Sequence, residues 1–177
     1  PSTTSFVVVD RDGSAVACSL TMNNNFGTGR MAKGTGIMLA AAPTDHAKRP
    51  AALSPIIVRN KHTNNLFFVG AASGGISAPT ALINVIARAM IDDKKLSQAI
   101  SAPRVHHSAM PDITFYEPHL AQKTKSFLIQ RGHNVAATPV LGFVNAVYCS
   151  GGLPRDPETC STKSDPRGDG LATNASE

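Results

Sequence analysis

The sequence predicts an α+β fold in which layers of sheet and helix pack on one another. Runs rich in β-forming residues stand at both ends of the chain, and the helical patterns are grouped between them. The 177 residues are 42% hydrophobic, which is enough to bury one sizeable core. We therefore expect one domain that covers residues 1–177.

The first element is predicted to be a β-hairpin. Residues 4–10 and 15–21 are β-rich, and the connection Arg11-Asp12-Gly13-Ser14 contains the Asp-Gly pair that favours a tight turn between antiparallel strands.

The next stretch alternates loops with short strands. Residues 23–36 hold four glycines and three asparagines, which is typical of a loop. A short apolar strand is expected at Ile37–Ala41, followed by a loop at Pro43–Pro50. Ile56–Val58 and Leu66–Val69 are expected to form a second hairpin.

Proline and glycine mark the ends of the predicted helices. A buried helix is expected at Thr80–Ile91 after Pro79, because proline is accepted in a first helical turn. Two further helices are expected at Leu96–Ala102 and His119–Gln130. Late strands are expected at Val135–Ala137 and Phe143–Cys149.

The distribution of charge argues against a nucleic-acid-binding protein. The net charge is +5, but the basic residues are scattered and form no run of five. The chain has two Tyr and no Trp, so no stacking platform for bases is expected. No apolar run approaches 18 residues and no charged-then-apolar leader precedes Pro1, so neither a membrane span nor a signal peptide is expected.

Three cysteines permit one internal disulfide. Cys149 and Cys160 flank a glycine- and proline-containing loop and form the expected pair, although two free thiols remain the alternative. Cys18 lies within an apolar strand. A disulfide fits an exported protein, so we expect a periplasmic or secreted location. No Cys-x-x-Cys or His-x-x-x-His spacing occurs, and neither a metal nor another cofactor is expected.

The hydroxyl cluster Thr3-Thr4-Ser5 at the start of the first strand is a candidate for chemistry. A threonine hydroxyl is a weak nucleophile, and a neighbouring N-terminal amine with a pKa near 8 can activate it as general base. The alternative is an ordinary pair of strand-edge threonines.

Five motifs in a fixed order favour a functional role for this cluster. Together they resemble the small subunit of the gamma-glutamyltransferase family over nearly the whole chain. They are residues 3–29, the segment Ser54-Pro55-Ile56-Ile57-Val58, residues 70–75 ending in Gly74-Gly75, the segment Ala102-Pro103-Arg104-Val105-His106-His107, and the segment Ser164-Asp165-Pro166-Arg167.

The resemblance implies a four-layer αββα N-terminal nucleophile hydrolase, completed by a large subunit from the same precursor. By position, Thr3 is the nucleophile that self-cleavage of the precursor exposes. The chain begins Pro1-Ser2, so the scissile bond is expected between Ser2 and Thr3, and the sequence is expected to be an uncut or artificially started product.

The resemblance also implies roles for five other residues. Thr21 orients the nucleophile, and the N–H groups of Gly74 and Gly75 form the oxyanion hole. Asn23 and Asp45 hold the α-amino group of a gamma-glutamyl substrate. Without the family, Thr21 is a surface cross-strand residue, Asp45 a turn cap and Gly74-Gly75 a turn.

Two departures from the family concern the substrate. Ala42 stands where members place Gln or Glu, and Ala51-Ala52 replaces a Ser-Ser pair that holds the α-carboxylate. Hydrogen bonds to charged groups contribute about 1.5 to 3 kcal/mol each, which is enough to change the preferred acyl group.

Two other motifs are interpreted as structural. Adjacent strand residues point to opposite faces, so His106 and His107 cannot act as one pair of ligands. Asp165-Pro166-Arg167 is expected to anchor the C-terminal segment.

The expected activity is gamma-glutamyl transfer or hydrolysis on glutathione or a related amide, through an acyl-threonine. A glutaryl- or cephalosporin-type acylase is the alternative that Ala42, Ala51 and Ala52 favour, while Asn23 and Asp45 oppose it. A non-catalytic relative is the remaining alternative, supported by Pro1-Ser2.

Overall fold

The computed structural model describes residues 3–42 and 53–175. Within them the strands are β1 (Thr3–Val9), β2 (Ala15–Thr21), β3 (Ile56–Arg59), β4 (Leu66–Ser73), β5 (Val105–His107), β6 (Thr114–Tyr116), β7 (Val135–Ala137), β8 (Phe143–Leu153) and β9 (Cys160–Lys163). The α-helices are α1 (Ala78–Ile86), α2 (Leu96–Ser101) and α3 (Gln122–Gln130).

The centre of the molecule is a four-stranded antiparallel sheet in the order β3-β4-β8-β9. Every residue of β4 except Phe67 is buried, because one face of the sheet is covered by helices and the other by the hairpin β1–β2. A strand buried on both faces is expected to be continuously apolar, as Val69-Gly70-Ala71-Ala72 is.

The helical side supplies the main core. Phe68, Ala72 and Val144 of the sheet pack against Leu82 and Val85 of α1, together with further residues of α1, α2 and the segment between them. Pro79 lies in the first turn of α1, as expected, and the helix continues as a π-helical segment, Ala87–Ile91.

The opposite face of the sheet carries the hairpin. Val7 and Val9 of β1, with Ala15 and Ala17 of β2, pack against the cluster that includes Val69 and Leu153. Helices, sheet and hairpin therefore form three successive layers. The turn between β1 and β2 lies at the predicted position, with the amide of Ser14 bound to the Asp10 carboxylate at 2.8 Å.

A second, smaller sheet in the order β5-β6-β7 lies beside α1. Strand β6 is antiparallel to β5 and parallel to β7, and α3 makes the crossover that a parallel pair requires. Strand β5 contains His106 and His107, which were expected to be strand residues, whereas β6 and β9 were not predicted.

One predicted strand and one predicted helix start were wrong. Ile37–Ala41 is not a strand, because the glycine-rich segment folds on itself with turn hydrogen bonds and an isolated bridge between Met31 and Met38. Helix α3 begins at Gln122 rather than His119, since His119 has φ 66° and Ala121 has ψ 135°, neither of which is helical.

The disulfide between Cys149 and Cys160 is confirmed, and the two residues are direct partners on β8 and β9. Cys18 is a free thiol. Among the helices of the described chain, none has both the length and the apolar character that crossing a bilayer requires.

Candidate active site

Thr3 and Thr21 lie opposite each other at the open end of the hairpin. They are the terminal Cα partners of the β1–β2 pairing, and directly opposed residues have Cβ atoms about 4.5 to 5.5 Å apart. Thr3 is half-buried on the face shared with Ser5, Val7 and Val9, whereas Thr4 points outward and is exposed. The hairpin therefore presents Thr3, and not Thr4, to the central sheet.

Hydroxyl groups fasten the hairpin to β4. Ser5 Oγ donates to the Ala71 carbonyl at 3.3 Å, and Ser19 Oγ donates to the Ala72 carbonyl at 3.1 Å. Asn145, the partner of Ala71 on β8, donates through Nδ2 to the Ser5 carbonyl at 2.9 Å. These contacts cross the interface between two layers, and sequence patterns gave no sign of them.

The direction of β1 across β4 orients the Thr3 end of the hairpin toward the glycines. Gly13, at the turn, lies against Leu153, which pairs with Leu66 at the start of β4. Ser5 lies against Ala71 near the end of β4. Side chains alternate along β1, so the inward-facing residue before Ser5 is Thr3. Because β1 runs opposite to β4, Thr3 lies at the end of β4 that leads into Gly74-Gly75.

The two glycines adopt conformations that other residues rarely reach. Gly74 has φ 121° and Gly75 has φ 66°. A Cβ on Gly74 would stand 2.5 Å from Gly142 Cα, whereas a Cβ on Gly75 would meet nothing within 4 Å. One side of this turn is therefore packed against the protein and the other is open, which suits a site where backbone N–H groups receive a ligand.

A buried cluster of charges holds Gly142 against Gly74. Arg104, which is fully buried, donates through Nη1 to the carbonyls of Leu141 at 3.2 Å and Gly142 at 2.8 Å. Its Nη2 pairs with Asp165, and Asp165 also accepts the Val144 amide at 2.8 Å. Burial lowers the pKa of Arg104, but the charge of Asp165 opposes that shift.

Arg167 and Glu117 complete this cluster. Arg167 donates to Glu117 and to Asp165, and Glu117 accepts the Leu141 amide at 2.7 Å. Burial acts to lower the pKa of Arg167, but its hydrogen bond to Glu117 and the charge of Asp165 outweigh that and raise it. The Asp165–Arg167 motif is thus a structural anchor, as the sequence predicted.

Asn23 follows Thr21 at the mouth of the hairpin. Its amide donates to Thr21 Oγ1 at 3.1 Å, and its Nδ2 donates to the Ala41 carbonyl at 2.6 Å. Its φ of 63° is one that asparagine tolerates better than most residues. Asn23 therefore joins the end of β2 to the far end of the glycine-rich loop.

The other predicted substrate contacts cannot be placed. Asp45, Ala51 and Ala52 lie outside the described residues, as do Pro1 and Ser2. The structure thus brings Thr3 and Thr21 together, sets Asn23 next to them, and orients this end toward Gly74 and Gly75.

The two histidines lie on opposite faces, as expected. His106 is buried, and its Nδ1 lies 2.8 Å from Thr80 Oγ1. His107 is exposed, and its Nε2 lies 3.0 Å from Asp112 Oδ1. The pKa of His106 is lowered, first by burial and then by the neighbouring His107.

Comparison with known proteins decides the family. The family model described as gamma-glutamyltranspeptidase matches residues 1–175. The chain belongs to the gamma-glutamyltranspeptidase family. It is 27% identical to a glutathione hydrolase proenzyme of Arthroderma benhamiae, over 88% of this chain and 31% of that protein.

Solved structures of family members share the fold, which confirms the predicted class. The gamma-glutamyltranspeptidase of Pseudomonas nitroreducens in complex with L-DON matches with a TM-score of 0.74 at 26% identity, over 98% of this chain and 100% of that one. An acivicin-inhibited gamma-glutamyltranspeptidase matches with a TM-score of 0.73 at 28% identity, over 93% and 98%. The chain spans less than a third of the length of the Arthroderma benhamiae protein.

Proposed function

We propose that this chain is the catalytic small subunit of an enzyme that hydrolyses or transfers the gamma-glutamyl group of glutathione or a related amide. The observation that carries the proposal is the pairing of Thr3 with Thr21 at the hairpin end that faces Gly74-Gly75. The two relatives whose structures are compared above are gamma-glutamyltranspeptidases, and the Arthroderma benhamiae relative is a glutathione hydrolase proenzyme.

The chemistry follows from these positions. Once the bond before Thr3 is cut, the new α-amine takes the proton of the Thr3 hydroxyl, and Oγ attacks the gamma-carbonyl of the substrate. The N–H groups of Gly74 and Gly75 stabilise the oxyanion. The proton passes to the departing amine, and the acyl-threonine is then released to water or to an acceptor amine.

The subunit partner is part of the proposal. The outer face of the hairpin exposes Phe6 (44%), Val8 (58%), Val16 (50%) and Leu20 (51%), which is an apolar surface suited to burial under another polypeptide. The Arthroderma benhamiae relative is a proenzyme, and the acivicin-inhibited relative has roles for its C-terminus in autoprocessing. We infer that a large subunit cut from the same precursor covers this face.

The proposal also includes self-cleavage of the precursor and export of the protein. Cleavage between Ser2 and Thr3 would convert an inactive precursor into the two-subunit enzyme, since the amine of Thr3 does not exist before it. The Cys149–Cys160 disulfide supports a periplasmic or secreted location, because such bonds persist in oxidising compartments.

The decisive experiment compares two neighbouring threonines in the full-length precursor. Thr3→Ala is expected to abolish both self-cleavage, seen by intact mass, and turnover of a chromogenic gamma-glutamyl amide. Thr4→Ala is the matched control, because Thr4 lies on the opposite face of the same strand, and it should retain both. Normal processing of Thr3→Ala, or equal activity in the two variants, would contradict the proposal.

An acylase of the same family is the second candidate, favoured by Ala42, which is exposed near Asn23 and offers no side-chain hydrogen bond. The two candidates differ in kcat/KM for gamma-glutamyl and glutaryl versions of one amide. A transferase should prefer the gamma-glutamyl amide by about tenfold, since one charge contact contributes roughly 1.4 kcal/mol or more. Asp45→Ala should erase that preference and leave glutaryl turnover nearly unchanged. A parent enzyme that prefers the glutaryl amide would be an acylase.

A further inference from the structure

The peptide that joins Gly74 to Gly75 is held by a hydroxyl from the following turn. Ser77 Oγ donates to the Gly74 carbonyl at 3.0 Å, and Ser77 is buried. A peptide unit is planar and trans, so the carbonyl of Gly74 and the N–H of Gly75 point in opposite directions. Fixing the carbonyl therefore fixes the direction in which the Gly75 N–H points.

Ser77 is in turn fixed by Thr80. The hydroxyl of Thr80 donates to the Ser77 carbonyl at 3.0 Å. A threonine hydroxyl has one hydrogen, so Thr80 Oγ1 can only accept from its other neighbour, His106 Nδ1, at 2.8 Å. This requires the proton of neutral His106 to be on Nδ1.

His106 is suited to this fixed role. Its Nε2 is buried and has no hydrogen-bond partner among the described residues, and burial lowers its pKa. With the proton on Nε2 instead, the ring would need the Thr80 hydroxyl as donor, and Thr80 would release Ser77. Asn84 locks the same junction, since its Nδ2 donates to the Thr80 carbonyl at 2.7 Å and to the Val105 carbonyl at 3.2 Å.

We propose that Ser77, Thr80 and His106 form a hydrogen-bonded relay that orients the Gly75 N–H toward the oxyanion formed on Thr3. The three are positioning residues, because they act through the Gly74–Gly75 peptide and do not touch the substrate. The proposal rests on the function proposed above. It links the small sheet that contains β5 to the reaction centre, a connection that the sequence pattern does not reveal.

The first test removes and restores the Ser77 hydroxyl in the processed two-subunit enzyme. Ser77→Ala is expected to lower kcat for the gamma-glutamyl amide by about tenfold or more while KM changes less than twofold, because a misdirected donor weakens binding of the transition state only. Ser77→Thr keeps a hydroxyl and should recover most of kcat.

A boronic acid analogue of the acyl group gives a readout that stability alone would not move. It forms a tetrahedral anion on the Thr3 hydroxyl and so mimics the transition state. Ser77→Ala should bind it more weakly by the same factor by which kcat falls. The affinity for the product glutamate should fall by less, because its planar gamma-carboxylate does not reproduce the tetrahedral oxyanion.

The second test changes His106 and uses the adjacent His107 as the control. His106→Val removes the Nδ1 donor and should lower kcat about as much as Ser77→Ala does. His106→Asn places an N–H at nearly the same position and should recover it. His107→Asn changes the exposed neighbour and should leave kcat unchanged.

Each outcome decides between the relay and its rivals. Any variant that fails to cleave itself is made by co-expressing the two subunits from separate genes, the second beginning at Thr3, so that they fold together and turnover is still measured. A parent enzyme without amidase activity would refute the proposed function. An active parent with equal kcat in Ser77→Ala and Ser77→Thr, or with unchanged boronate affinity, would refute the relay alone. A Ser77→Ala protein that cannot assemble by either route would assign Ser77 to the stability of the fold and also refute it.

Discussion

The two halves of the proposed active site are supported very differently by this chain. Gly74 and Gly75 follow β4, which is buried on both faces, and Gly142 packs directly against Gly74. Thr3 and Thr21 lie on a two-stranded hairpin that is covered on one face, and its other face exposes a row of apolar side chains.

The contrast shows which part of the site depends less on contacts from outside this chain. The oxyanion side is fixed by contacts within residues 53–175, including the charged cluster of Arg104, Glu117, Asp165 and Arg167. The nucleophile side depends on a hairpin, and an isolated two-stranded hairpin is at best marginally stable. We therefore expect the large subunit to matter more for Thr3 than for Gly74 and Gly75.

The largest expected effect is the loss of cooperative unfolding when the chain stands alone. Residues 3–177 expressed without the large subunit should give no cooperative transition in urea, because the exposed apolar face of the hairpin then lies in water. Circular dichroism and sedimentation check this against the two-subunit enzyme. A cooperative, monomeric transition would show that the hairpin needs no cover.

The next largest effect is expected in the half of the site that contains Gly74 and Gly75. Arg104→Met leaves Asp165 short of a partner in a buried site and should destabilise the two-subunit enzyme by roughly 3 kcal/mol. The readout is the urea midpoint at one fixed protein concentration. Arg155→Met is the control, since Arg155 is exposed and its loss should change stability by less than about 0.5 kcal/mol. Equal midpoints for the two variants would contradict the assigned role of the cluster.

A smaller effect is expected at the junction of the two halves. Ser5→Ala removes the hydroxyl that binds the Ala71 carbonyl and Asn145, and it should cost about 1 to 2 kcal/mol. Because this contact aligns β1 on β4, kcat should fall as well. Measuring kcat and the urea midpoint together separates alignment from stability, and loss of stability without loss of kcat would show that the hairpin is aligned by other contacts.

The smallest effect is a pH dependence of stability. The pKa of His106 in the fold is lowered from 6.5 by burial, so on acidification the unfolded chain takes up a proton before the folded one does. Stability is therefore full above pH 6.5 and declines as the pH falls from 6.5 toward the folded pKa. The decline should be smaller in His106→Asn and should persist in His107→Asn. Parallel curves for all three proteins would assign the dependence to other groups.

Turn and proline signals in the sequence correctly predicted the elements whose ends depend on local backbone preferences. The Asp12-Gly13 turn gave the hairpin, and Pro79 gave the start of α1. The strand predicted at Ile37–Ala41 failed because apolar spacing alone cannot distinguish a strand from a folded glycine-rich loop. Strand β9 was missed because Cys160-Ser-Thr-Lys is short and polar, and only its pairing with β8 makes it a strand.

The candidate site shows the same division. The roles of Thr3, Thr21, Gly74 and Gly75 were predicted from the motif resemblance and stay predictions, and the hairpin register explains why the two threonines lie opposite each other. The bond from Ser5 to Ala71 spans 66 residues and left no trace in the sequence. Asp45 stays a prediction, because it lies outside the described residues.

The turn at Asp10–Ser14 determines which threonine reaches the glycines, although it lies at the other end of a seven-residue strand, about 20 Å away. Side chains alternate along β1, so a shift of one residue in the pairing would exchange the faces of Thr3 and Thr4. The length of this connection therefore determines on which face of the hairpin Thr3, the proposed nucleophile, lies. Odd changes in residue number between Thr3 and the turn should exclude the nucleophile from the site, whereas even changes preserve its facing and alter only its distance from Gly74 and Gly75.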